Sequence, residues 1–198
     1  MKQVFVETNF LIELLQPFPQ RDATKLFDRA TVDVALHIPW VSITEAKRTL
    51  SSIISKDLDF DDRVNKLGVQ LLKAGALLKS DMPPVQAFVA HIKRERASAL
   101  TTADDRVDAA VAVMNVIPPS PAVVAKTMAV HPIKYLPPFD EMILGAVLYE
   151  AQQLHQAGKI DLYFCNANTR DFQPTSGNLL GKHYAACNLR YLPDFSVP

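Results

Sequence analysis

The chain of 198 residues lacks net charge, long apolar runs and cysteine in quantity, and it has only six glycines. Each shortage excludes a class. Lys plus Arg and Asp plus Glu both number 21, so no whole-molecule field draws the protein to nucleic acid or an anionic membrane, and such binding must rest on a local patch. The apolar runs, such as Met142 to Leu144 and Ala146 to Tyr149, fall far below the roughly 20 residues that span a bilayer. Glu7 and Glu13 interrupt the apolar stretch a secretory signal needs, and no small-residue cleavage site follows. A soluble, cytoplasmic protein without membrane contact is the expectation. Cys165 and Cys187 then read as two reduced, buried thiols rather than a disulfide. The scarcity of glycine and the absence of repeats exclude collagenous and low-complexity chains. His37, His91, His131, His155 and His183 show no zinc-ligand spacing. Neither cysteine nor any serine sits in a recognisable nucleophile motif.

What is present is apolar material, 48% of residues, enough for one sizeable core. We read residues 1–198 as a single domain. Gln3 to Val6 is a β-branched and aromatic run ending at Glu7, Thr8 and Asn9, which suit a strand end followed by a helix cap. Phe10, Leu11, Leu14 and Leu15 then fall at helical spacing until Pro17 and Pro19, and Asp22 is a cap candidate for a second helix. Leu36 to Val41 is the next strand candidate. After it, Ser42 or Thr44 can cap a long helix with Glu45 in its first turn. From about 61 to 135 only helical periodicity broken by prolines is visible, which reads as a helical insertion of three or four helices. Pro137 and Pro138 precede a helix over Phe139 to Gln156, with Asp140 and Glu141 in its first turn and Gly158 beyond its end. Ile160 to Cys165 and Asn188 to Leu192 are the remaining strands, separated by a polar loop from Asn166 to Gly177. Strands alternating with helices, without hairpin signals, predict an α/β fold: a parallel sheet of about four or five strands flanked by helices.

In such a sheet ligands gather beyond the carboxyl ends of the strands. Acids lie there: Glu7 after the first strand, Glu45 after the second and Asp171 after the strand ending at Cys165, with Asp140 added from a helix start. Singly, each is an ordinary cap or surface charge. Brought together, they repel unless a cation lies among them, and hard oxygen donors favour Mg²⁺ or Mn²⁺. Asp104, Asp105 and Asp108 read instead as helix N-terminal charge, and Lys93, Arg94 and Arg96 as one exposed helix face.

These residues carry a resemblance. Val4 to Leu11, with its Glu-Thr-Asn, resembles the opening strand and first acid of the PIN-domain nucleases. Val41 Ser42 Ile43 Thr44 Glu45 is similar to the second acidic motif, and Phe139 to Val147, an Asp opening an apolar helix, to the third. Asn168 Thr169 Arg170 Asp171 Phe172 Gln173 Pro174 Thr175 Ser176 Gly177 resembles the fourth segment of bacterial toxin-type members of the VapC and FitB kind. Two positions depart: Glu7 stands where the family usually has Asp, moving the carboxylate by about 1.5 Å, and Asn168 stands where many members have Asp. The likeness covers roughly residues 1–50 and 136–195.

The resemblance implies a PIN-like fold and a divalent-metal-dependent endoribonuclease, with an antitoxin protein and a homodimer as candidate partners. It implies Glu7, Glu45, Asp140 and Asp171 as catalytic acids, with Asn168 joining them as ligands of Mg²⁺ or Mn²⁺. Lys47, Arg48 and Arg170 neighbour the site and are the candidate RNA contacts. The competing expectation is a catalytically inactive PIN-like module that binds RNA or a protein, the altered Glu7 and Asn168 reflecting lost metal. The helical middle is expected to narrow substrate access or supply a dimer contact.

Overall fold

A computed structural model describes residues 1–76, 78, 80, 82–131, 136–175 and 179–198, and for 57–61 the helix backbone alone. The strands are β1 (Lys2–Phe5), β2 (Val34–Pro39), β3 (Asn115–Ile117), β4 (Leu162–Cys165) and β5 (Leu189–Leu192). They form one sheet in the order β3-β2-β1-β4-β5. Every pairing is parallel, with Phe5 opposite His37 on one side and Phe164 on the other. The α/β expectation of a parallel sheet flanked by helices is met, with five strands.

Strand alternation builds two cores. Val4, Leu36, Ile38, Tyr163 and Cys165 face one layer, covered by α1 (Thr8–Leu15), α2 (Arg21–Asp28), the first half of α3 (Trp40–Lys73) and α5 (Ala103–Val111). Phe5, Leu162 and Phe164 face the other, covered by α6 (Pro121–Val130), α7 (Pro138–Gln156) and α9 (Leu179–Ala186). β2 and β4 are buried along their whole length and read as largely apolar runs, whereas the edge strands β3 and β5 are partly exposed. Cys165 and Cys187 are free and buried, and burial pushes both thiols up. Buried His37 bonds through Nε2 to Gln3 Oε1 at 2.9 Å, and burial lowers its pKa to about 4.

The middle of the chain differs from its expectation. It holds β3, which extends the sheet beside β2, so 115–117 belongs to the domain and not to a helical insertion. A three-residue strand followed by Pro118 and Pro119 leaves too short an alternation to separate from a helix end. The rest is helical where described: α3 runs 34 residues, about 50 Å at 1.5 Å per residue, and packs along α4 (Met82–Thr101). Part of the expected 61–135 segment, residues 77, 79, 81 and 132–135, lies outside the described residues.

Helix starts also moved. α3 begins at Trp40, so Ser42 and Thr44 lie inside it, Glu45 is its sixth residue, and no side chain caps it. The N-cap of α2 is Gln20 rather than Asp22, its Oε1 accepting from the amides of Asp22 and Ala23 at 2.8 Å each. α7 packs tightly on α6 at Gly145, where an added Cβ would sit 2.7 Å from the Cα of Thr127. Among the described residues no helix is long and apolar enough to cross a membrane.

Candidate active site

From β1 the chain steps to β2 and then β3 on one side, while β4 and β5 lie on the other. The order therefore reverses between β1 and β4, and a crevice opens outside their carboxyl ends. Glu7 follows β1 and Asn166 follows β4, side by side at that crevice.

Glu7 is the N-cap of α1, its Oε2 accepting from the amide of Asn9 at 2.9 Å. Only 3% of it is exposed, and among the described residues Oε1 has no hydrogen-bond partner. Burial is the largest influence on it, and the charges of Glu45 and Asp140 repel it as well. Together they outweigh the Asn9 hydrogen bond and raise the Glu7 pKa to about 8. Two of the other three expected acids thus act on Glu7. Glu45 is held by Thr8, whose Oγ1 donates to Oε2 at 2.5 Å, and Asp140 stands half-buried in the first turn of α7.

Asn168 and Asp171 form a local pair instead. Asn168 is the N-cap of the one-turn helix α8 (Thr169–Phe172), and its Nδ2 donates to Asp171 Oδ2 at 2.9 Å. Asp171 is not among the charges that shift Glu7. Ser176 and Gly177, the end of that segment, lie outside the described residues. Arg170 is exposed on α8. Lys47 turns away from the acids to an ion pair with Asp108 on α5 at 2.7 Å, whereas exposed Arg48 shares a groove with Glu45. Lys93, of the other basic group, pairs with Asp62 at 2.6 Å.

Several neighbours escaped the sequence reading. Asn166 is fully buried; its Oδ1 accepts from the amide of Asn168 at 2.6 Å, and among the described residues its Nδ2 has no partner. Tyr191, on β5, donates its hydroxyl to the Asn166 carbonyl at 2.6 Å. Burial, then the nearby Glu7 charge, push it up to about 12. Thr8 lay within the Glu-Thr-Asn motif and was legible there; nothing in sequence tied Tyr191 to residue 166.

The donor chemistry suits a hard divalent cation: a buried carboxylate oxygen without a partner, two further carboxylates acting on it, and no thiolate or imidazole in the set. On the other side, among the described residues no three His, Cys, Asp or Glu side chains are grouped closely enough to hold a metal ion. The chain matches no family model and no curated protein sequence.

Proposed function

We propose that this protein is a divalent-metal-dependent endoribonuclease of PIN type, hydrolysing RNA phosphodiester bonds in the cytoplasm. The observation that carries the reading is Glu7: a carboxylate buried at the switch point of a parallel sheet, one oxygen without a partner among the described residues, beside two other acids. A carboxylate so placed is neutralised by a proton or by a cation, and oxygen donors of this kind take Mg²⁺ or Mn²⁺.

Glu7, Glu45 and Asp140 would hold the ion, with Asn168 and Asp171 offering oxygens from the β4 side. When bound, it supplies a lowered pKa for an attacking water and charge stabilisation at the phosphoryl oxygens. The chain's own groups do the rest. Thr8 fixes the Glu45 carboxylate through its hydroxyl, the Asn9 amide fixes one oxygen of Glu7, and Tyr191 fixes the backbone at Asn166. Asn166, fully buried, fixes the turn after β4 by accepting the Asn168 amide on its Oδ1. The likeness to toxin-type members supports an antitoxin protein as a partner.

A second reading has its own observation. Among the described residues the acids form no closed ligand group, and Glu7, its pKa raised to about 8, favours the protonated, neutral form at pH 7 without metal, as suits a module that binds RNA or protein without cleaving. Calorimetric titration with Mn²⁺, paired with RNA cleavage in Mn²⁺ and in EDTA, separates the two: binding with metal-dependent cleavage supports the nuclease, and neither supports the inactive module.

A further inference from the structure

Beside the acids, the surface of α3 forms a groove of about 340 Å³ lined by Glu45, Arg48, Thr49, Ser52 and Lys56, with Phe139 of α7 as its other wall. The spacing is helical: Arg48, Ser52 and Lys56 are at i, i+4 and i+8 and so lie in one row on α3, the two cations about 12 Å apart at 1.5 Å per residue. Both are exposed, and among the described residues neither has a carboxylate partner, unlike Lys47 and Lys93, which are engaged with Asp108 and Asp62. Phe139 is 45% exposed and immediately precedes Asp140, so an apolar ring faces the cationic row across the groove.

We infer that this groove is the track of an unpaired RNA strand, with backbone phosphates on Arg48 and Lys56, the Ser52 hydroxyl between them, and one base stacked on Phe139. The inference rests on the ribonuclease reading for its occupant and adds where the strand runs and which form it takes. Cations in a row, interrupted by hydroxyls and faced by an aromatic ring, are the chemistry of single-strand binding, in which phosphates supply salt-dependent affinity and the ring takes any base. A duplex offers phosphates but keeps its bases stacked on one another, so it cannot use the ring. Glu45 at the end of the row joins the track to the acids, which places the strand's scissile region there.

The test measures binding in EDTA, with no cleavage, by fluorescence anisotropy of a labelled short single-stranded RNA of mixed sequence. The same RNA as a duplex and an acidic peptide of similar charge serve as comparators. Arg48→Glu and Lys56→Glu should each weaken single-strand affinity about tenfold or more and reduce the salt slope by about one. Arg48→Lys and Lys56→Arg should retain it. Phe139→Ala should weaken the single strand at least about fivefold and leave the duplex unchanged. Lys159→Glu, exposed at the opposite end of the sheet, makes the same charge change and should stay within about twofold of wild type. Thermal melts check that each variant folds. No binding by wild type, equal losses at Lys159 and Lys56, a duplex bound as tightly through Phe139, or preference for the acidic peptide would each overturn the assignment. Wild type that binds this way but cleaves nothing in Mn²⁺ removes the nuclease reading and leaves the groove. Cleavage in Mn²⁺ with affinity unchanged by charge reversal removes the groove and leaves the nuclease.

Discussion

Asp140 is the acid whose type and helix-opening position both follow the PIN pattern without alteration, and its charge acts on Glu7. Asp140→Asn keeps the shape and removes the charge a cation needs. Cleavage of single-stranded RNA in Mn²⁺ should fall a hundredfold or more, about 3 kcal/mol in the barrier, while the metal-free protein melts at the same or a slightly higher temperature because repulsion is relieved. Glu7 gives a pH signature. Its folded pKa of about 8 lies above the ordinary 4.5, so between those values the folded state binds more protons than the unfolded state, and stability falls as pH rises. The contribution is favourable below about 4.5 relative to its level above about 8. Melts in EDTA from pH 5 to 9, ordinary laboratory buffers for a linkage scan, should show a declining midpoint in wild type and a flatter profile in Glu7→Gln. Parallel profiles would mean that Glu7 is not held as a buried, repelled carboxylate.

At the scale of elements, the α6–α7 contact and the α3–α5 contact differ in kind. An added methyl at Gly145 meets backbone at Thr127 Cα, 2.7 Å away, which cannot swing aside. Gly145→Ala should therefore cost about 1–3 kcal/mol in thermal or urea unfolding, and a neutral result would show that the two helices can separate at no cost. The Lys47–Asp108 pair is solvent-exposed, so Lys47→Ala should cost under about 1 kcal/mol. The same contrast explains what was legible in the sequence. Largely apolar runs announced β1, β2 and β4, which are buried on both faces and have little polar alternation to blur them, whereas β5, an edge strand with Arg190 exposed, was marked by its place just before Pro193. β3 was hidden because three residues carry no period, and only the neighbouring His37–Pro39 edge makes them a strand. Helix starts were misplaced where glutamine took the place of the expected Asp cap, as at Gln20, and where the helix began without a side-chain cap, as after Pro39. Glu7, Glu45 and Asp140 could be marked from their places after strands and at a helix start, but that Glu45 and Asp140 act on Glu7 while Asp171 pairs with Asn168 could not. The opposite fates of Lys47 and Arg48 could not, since adjacent residues on a helix point about 100° apart and only packing of α5 decides which is taken.

On the scale of the whole molecule, α3 and α4 carry the chain well beyond the sheet, and Phe88 on α4 is 66% exposed with Phe18 lining the same groove. Exposed aromatic surface of this kind marks association. Light scattering at micromolar concentration should return a dimer for wild type and a monomer for Phe88→Asp; a monomeric wild type would leave the α3–α4 pair the role of narrowing substrate access. The central claim concerns the crevice between β1 and β4, and cleavage of single-stranded RNA by the wild-type protein, in Mn²⁺ and in EDTA side by side, tests it most directly. The account predicts cleavage in Mn²⁺ that EDTA abolishes and added Mn²⁺ restores. Equal cleavage in both, or none under any divalent metal, would contradict it.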